Sequence, residues 1–117
     1  MENTILLVDD EPDNVETIKT VLKQNGYKVV TACSGDDCLK KLKKHKVNLI
    51  LMDIMMPGTP VRDIISKIKG VKIAYLTVVR TSEAEREELM KKKNIVDYIQ
   101  KPFDIDDLLE RVKRILG

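Results

Sequence analysis

Val47-Asn48-Leu49-Ile50-Leu51-Met52-Asp53 is an apolar run closed by a carboxylate. From Leu49 to Met52 no polar residue interrupts it, so a strand here carries apolar side chains on both faces. That pattern belongs to a strand covered on both sides within a parallel sheet. Ile5–Val8 and Ile73–Val79 are almost as continuous, broken only by Thr77. Extended outward, the reading gives five runs: Thr4–Val8, Lys28–Ala32, Val47–Met52, Val71–Val78 and Ile95–Ile99. The second and fifth contain Lys28 and Asp97, which fits them for the edges of a sheet.

A helical signature follows each run. Pro12 suits a first helical turn, Val15, Ile18 and Leu22 share a face, and Gly26 ends the pattern. Ser34 caps a second helix with Asp37 three residues on, and Cys38 and Leu42 face inward. Val61, Ile64, Ile65 and Ile68 repeat at helical spacing up to Gly70. Ser82 and Glu85 form a capping box for a fourth helix, acidic at its start and closed by Lys91, Lys92 and Lys93. Asp104 caps a fifth, whose inner face is Ile105, Leu108, Leu109, Val112 and Ile115. Strand–helix alternation with right-handed crossovers predicts an α/β fold: a doubly wound, five-stranded parallel sheet with five helices, flavodoxin-like, in the order 2-1-3-4-5. That order puts the three most apolar runs in the middle.

The chain of 117 residues is one domain's worth, with 43% apolar and 34% charged residues and a net charge of +2. So small an excess gives no case for nucleic acid or a membrane surface. Ile5–Val8 is far too short for the apolar core of a secretory signal, and no stretch approaches the ~20 apolar residues of a membrane span. The expectation is a cytoplasmic protein. Cys33 and Cys38 have neither CxxC nor zinc spacing and read as two small, partly buried, reduced residues. His45, the one histidine, stands in a lysine-rich stretch and reads as solvated. Lys40, Lys41, Lys43, Lys44 and Lys46 read as the solvent face of the second helix, with no aromatic interleaved.

In open α/β sheets, ligands bind beyond the carboxyl ends of the strands where the order reverses, here between the first and third. Asp9 and Asp10 follow the first run, Asp53 the third and Lys101 the fifth, with Thr77 near the end of the fourth. Three carboxylates, a hydroxyl and an ammonium therefore converge from distant positions. Carboxylates so grouped repel one another, and a hard divalent cation removes the problem; oxygen-only ligands suit Mg²⁺. Such a site can neutralise a transferring phosphoryl group and accept it on a carboxylate. Taken singly, each residue has a plainer reading: Asp10 as a helix cap, Asp53 as a turn residue, Thr77 as an ordinary strand residue, Lys101 as solvated surface. All of these would have to hold together at one sheet edge.

Val8-Asp9-Asp10-Glu11-Pro12, Met52-Asp53-Ile54-Met55-Met56-Pro57-Gly58 and Tyr98-Ile99-Gln100-Lys101-Pro102-Phe103 resemble the three site segments of response-regulator receiver domains of two-component signalling. Each motif alone is weak; all three, in order and at the proper strand ends, are strong. The resemblance runs through the whole chain and implies one receiver domain over residues 1–117. It implies that Asp53 accepts a phosphoryl group, and that Asp10, Asp53 and the backbone carbonyl of Met55 hold Mg²⁺, with Asp9 binding through a water. Thr77 and Lys101 then contact the phosphoryl group, Tyr98 turns inward as Thr77 moves, and the Lys101–Pro102 bond is cis. The donor is a sensor histidine kinase. The reader of the switch is a downstream protein, or an output domain absent from this sequence, acting on the face built from the fourth helix, fifth strand and fifth helix. Neither nucleic acid nor membrane is a direct partner, and the state is monomeric or a phosphorylation-dependent dimer.

Two departures from the family pattern stand out. Gly58-Thr59-Pro60-Val61 replaces the usual Asp-Gly pair, leaving that turn open, and Val78 stands where a small residue is usual and narrows the path to Asp53. A phosphatase-like enzyme is the less favoured class, because Met55 occupies the place of the second acid that haloacid-dehalogenase-like enzymes need. Nucleotide binding lacks a Gly-rich loop. The expected class is thus a signalling switch rather than an enzyme, with a phosphorylation-independent adaptor on the same fold as the alternative.

Overall fold

Thr4–Val8 (β1) pairs in parallel with Lys28–Ala32 (β2) on one side and with Leu49–Asp53 (β3) on the other. Lys72–Thr77 (β4) pairs with β3, and Ile95–Gln100 (β5) with β4, giving the order β2-β1-β3-β4-β5. The computed structural model describes residues 3–54, 58–77, 83–84, 87 and 90–117, and of Thr77 its backbone. Between the strands run Pro12–Gln24 (α1), Gly35–Lys44 (α2) and Val61–Ser66 (α3), and Ile105–Leu116 (α4) closes the chain. The expected capping box of Ser82 and Glu85 lies outside the described residues. Glu83, Ala84 and Glu87 are described, and all three are helical and exposed.

Alternation along the strands builds two cores. Leu6, Val8, Ile50 and Met52 point to the face covered by α2 and α3, through Cys38, Ile64 and Ile65. Ile5, Leu7, Leu49 and Leu51 point to the face covered by α1 and α4, through Ile18, Leu22, Leu108 and Val112. β1 and β3 bury both faces, so their unbroken apolar character follows from position.

Local signals set the helix ends. Ser34 Oγ accepts from the Asp37 N–H at 3.0 Å, and Asp104 Oδ1 from the Asp106 N–H at 3.1 Å. Pro12 opens α1, but its N-cap position is Glu11 and no side chain caps it, so Asp10 is not a helix cap. α1 ends at Gln24, and Gly26 takes a φ of +91°, a conformation that costs glycine little. α3 is shorter than its periodicity predicts. The Lys67 and Ile68 N–H groups bond to Ile64 and Ile65, a tightened last turn, while Ile68 stays buried just past the helix.

Strand boundaries also shift. β3 starts at Leu49, because Asn48 locks the entry: its Oδ1 accepts from the Thr4 N–H and its own N–H donates to the Thr4 carbonyl, both at 2.9 Å. β3 runs on to Asp53, which pairs with Leu76. β4 starts at Lys72, since the Val71 carbonyl accepts from Asn94 Nδ2 at 3.2 Å; β5 extends to Gln100 opposite Thr77. Cys33 is exposed rather than partly buried, while Cys38 is buried, and burial raises its thiol to about 12, assisted by the charge of Asp37.

Gly35 opens α2 against α3. A Cβ there would lie 2.5 Å from Ile64 Cγ1 and 2.9 Å from its Cδ1, and Ile64 is fully buried. Gly35→Ala is therefore expected to destabilise the protein by about 1–3 kcal/mol, the usual cost of overpacking. Urea denaturation checks this, and pairing it with Ile64→Val should recover part of the loss.

Candidate functional site

Parallel strands bring their carboxyl ends to one edge, and the sheet order puts the ends of β1 and β3 side by side. Asp9 directly follows β1, and its N–H continues the pairing by donating to the Ala32 carbonyl at 3.1 Å. Asp10 comes next and is exposed, and Asp53 is the last residue of β3. One carboxylate oxygen from each of Asp9, Asp10 and Asp53 lies within 4.8 Å of the other two.

Lys101 follows β5, and its side chain reaches this cluster. Its Nζ donates to Asp9 Oδ2 at 2.9 Å and to Asp53 Oδ2 at 3.2 Å. Asp9 is 2% exposed and Asp53 7%, so the pairs form where water screens them little. Asp9 Oδ1 also accepts from the Glu11 N–H at 3.0 Å, which fixes the carboxylate on both oxygens. The Lys101–Pro102 peptide is cis, as the resemblance implies. Burial pulls the Lys101 pKa down, but the hydrogen bond to Asp9, the charges of Asp53 and Asp9 and the bond to Asp53 outweigh it, so the net shift is upward.

One ammonium among three carboxylates leaves the cluster net negative. All the donors are hard oxygens, with Asp10 open to solvent, and this set fits a divalent cation such as Mg²⁺. Without a cation, Asp10 is a cost, since it makes no hydrogen bond or ion pair among the described residues and faces two other carboxylates. Asp10→Ala is expected to raise stability by about 1 kcal/mol in chelator, the scale of a like-charge contact at ~4 Å screened by water, as befits the exposed Asp10. Added Mg²⁺ should raise the melting temperature of the wild type and leave that of Asp10→Ala nearly unmoved.

The remaining predicted residues fall as follows. Tyr98 is buried in β5, and its ring meets Tyr75 edge-on, with centroids 6.3 Å apart. The Thr77 side chain, Met55 and Val78 lie outside the described residues. The Gly58-Thr59-Pro60-Val61 turn has a definite form. Gly58 takes a φ of +104°, and Thr59 Oγ1 donates to the Asp36 carboxylate, 2.9 Å from one oxygen and 3.2 Å from the other. Thr59 is thus tied to the start of α2. The sequence reading also missed Arg111 on α4, whose Nη1 reaches both oxygens of Asp97 at 3.0 and 3.1 Å. An i to i+4 pair with Asp107 was its one local signal.

Comparison with known proteins agrees with this fold. The family model of the response regulator receiver domain matches residues 5–113. The chain is 32% identical over 118 residues to the alkaline phosphatase synthesis transcriptional regulatory protein PhoP of Bacillus subtilis, covering 99% of this chain and 49% of that protein. It is 31% identical over 115 residues to the response regulator SaeR of Staphylococcus epidermidis, covering 97% and 50%. The chain therefore spans about half the length of these curated relatives. Among solved structures, a response regulator receiver domain protein (CheY-like) from Methanospirillum hungatei superposes with a TM-score of 0.85 at 34% identity, covering 100% of this chain and 96% of that one.

Proposed function

The chain belongs to the response regulator receiver domain family, and from that premise we propose that it is a phosphorylation-driven switch whose acceptor is the Asp53 carboxylate. The observation that carries this reading is Lys101 Nζ bonded to both Asp53 and Asp9 while Asp10 stands beside them without a partner among the described residues. A structural ion pair needs one carboxylate; a third that only adds repulsion suits a site that takes a cation.

In the proposed reaction an Asp53 oxygen attacks the phosphorus of a phosphohistidine on a sensor kinase. The new O–P bond forms as the N–P bond breaks, and the imidazole leaves with its electron pair. Asp53 then carries an acyl phosphate. Lys101 neutralises charge on the phosphoryl oxygens, and Asp9 keeps the Lys101 ammonium in place through the transfer. Asp10 and Asp53, with Asp9 through a water and the Met55 carbonyl, would hold Mg²⁺, which supplies further neutralisation of the phosphoryl charge. Thr77 bonds a phosphoryl oxygen, and Tyr98 fills the space that Thr77 vacates. That rearrangement changes the face made by the segment after Ser82, β5 and α4, and a partner reads it. Residues 1–117 act as one receiver domain. The chain assists a reaction on itself and turns over no external substrate. Its partner is a separate protein or a second module joined to the receiver, as the greater length of PhoP and SaeR suggests.

Intact-mass analysis after incubation with acetyl phosphate and Mg²⁺ tests this reading. A single phosphoryl adduct is expected, absent in chelator and absent from Asp53→Asn. An unmodified wild type, with the metal shown to be bound, would overturn it.

A further inference from the structure

At the opposite edge of the sheet, five residues of β1 and roughly 16 Å from Asp9, lies a cavity of about 660 Å³. The last turn of α1 supplies Lys23, Tyr27 stands just before β2 and Lys28 opens it, and Lys44, His45 and Lys46 lie at and just past the end of α2. None of the described residues lining it is acidic. In the sequence Lys44 and Lys46 read as part of the solvent face of the second helix and Lys28 as the mark of an edge strand; the fold brings them together with Lys23 around one concavity and adds the aromatic that the lysine run lacks.

Lysines near helix C-termini often serve the helix, by capping carbonyls or balancing the dipole. Here three of the end carbonyls are taken by backbone N–H groups. Leu22 accepts from the Asn25 and Tyr27 N–H groups, Lys23 from Gly26, and Lys41 from His45. The side chains of Lys23, Lys28, Lys44 and Lys46 make no hydrogen bond or ion pair with any described residue. Lys72 shows the contrast: its Nζ donates to the Ile115 carbonyl at the end of α4, at 3.0 Å. Four lysines whose ammoniums bond to no described residue line one space, and like charges gathered there favour an anion.

We propose that this cavity binds a small oligophosphate ligand of the nucleotide class. Ammoniums act as point charges toward phosphate oxygens, and four of them match more than one phosphate. The volume falls within the ~300–1,000 Å³ range of small-molecule sites and exceeds what a bare phosphate needs. Tyr27, half-buried beside Val29 and Val30, offers an aromatic and apolar floor for a base. The lack of a Gly-rich loop rules out a cradle of backbone amides and leaves the phosphates to side chains. The proposal is independent of the role assigned to Asp53.

The test is an amide-resolved NMR titration of the whole chain with ATP, tripolyphosphate, adenosine and duplex DNA, in chelator so that the acidic cluster holds no metal. ATP is expected to shift amides around residues 27–30 and 44–46, and to bind more tightly than tripolyphosphate. Lys28→Gln/Lys44→Gln should weaken ATP by roughly tenfold or more, the scale of charge-assisted hydrogen bonds. Lys67→Gln/Lys69→Gln, an exposed pair outside the cavity, should leave it unchanged. No shifts at these amides with millimolar ATP would overturn the proposal. So would equal weakening by the control pair, equal affinity for tripolyphosphate, or binding of duplex DNA alone.

Discussion

Lys101→Met is expected to destabilise the protein by roughly 3–5 kcal/mol at neutral pH, the cost of removing one partner from a buried ion pair. Methionine keeps most of the aliphatic stem, so the loss reports the ammonium. Without it, the Asp9 and Asp53 carboxylates stay buried and both lose the hydrogen bond from Nζ. The pH dependence follows from the upward shift of the Lys101 pKa in the folded protein. A group whose folded pKa is raised contributes its full stability below the unfolded value, here 10.5, and loses it as pH rises through the folded value. The gap between wild type and Lys101→Met should therefore be constant from neutral pH to about 10 and narrow above that. Urea midpoints measured across that range for both proteins check it. A gap that persists unchanged in strong alkali would mean that packing, not charge, carries the effect.

Much of this fold is legible because position in the sheet dictates composition. Leu49–Met52 and Ile5–Val8 are unbroken because β3 and β1 are covered on both faces, and Lys28 and Asp97 are tolerated because β2 and β5 are edges. Ser34 and Asp104 announce their helices through short-range capping bonds, which local sequence encodes in full. Asp9, Asp10, Asp53 and Lys101 are legible as a group only through topology, since 92 positions separate Lys101 from Asp9. What escaped the sequence depends on contacts between distant elements. Thr59 finds Asp36 across 23 positions, Arg111 finds Asp97 across 14, and Asn48 replaces a strand residue by bonding to Thr4. The basic cavity escaped for the same reason. Lys23, Lys28 and Lys44 stand far apart in sequence, and only the fold brings them to one concavity.

Asp53→Asn is expected to abolish phosphoryl incorporation while leaving the fold intact and its stability equal or higher by about 1 kcal/mol in chelator. The amide keeps an oxygen for Lys101 and removes one negative charge from a cluster of three carboxylates. Loss of function with no loss of stability separates an acceptor from a structural residue: a core aspartate whose role is the ion pair would cost stability when neutralised. The measurement that bears most directly on the central claim is chemical trapping of the acyl phosphate. Wild-type protein is treated with acetyl phosphate and Mg²⁺, then reduced with borohydride, which converts a phosphorylated aspartate to homoserine, and the peptides are sequenced by mass. Homoserine at position 53, dependent on Mg²⁺, is the predicted result. Homoserine at position 9 or 10 instead, or at no position, would contradict the assignment of Asp53.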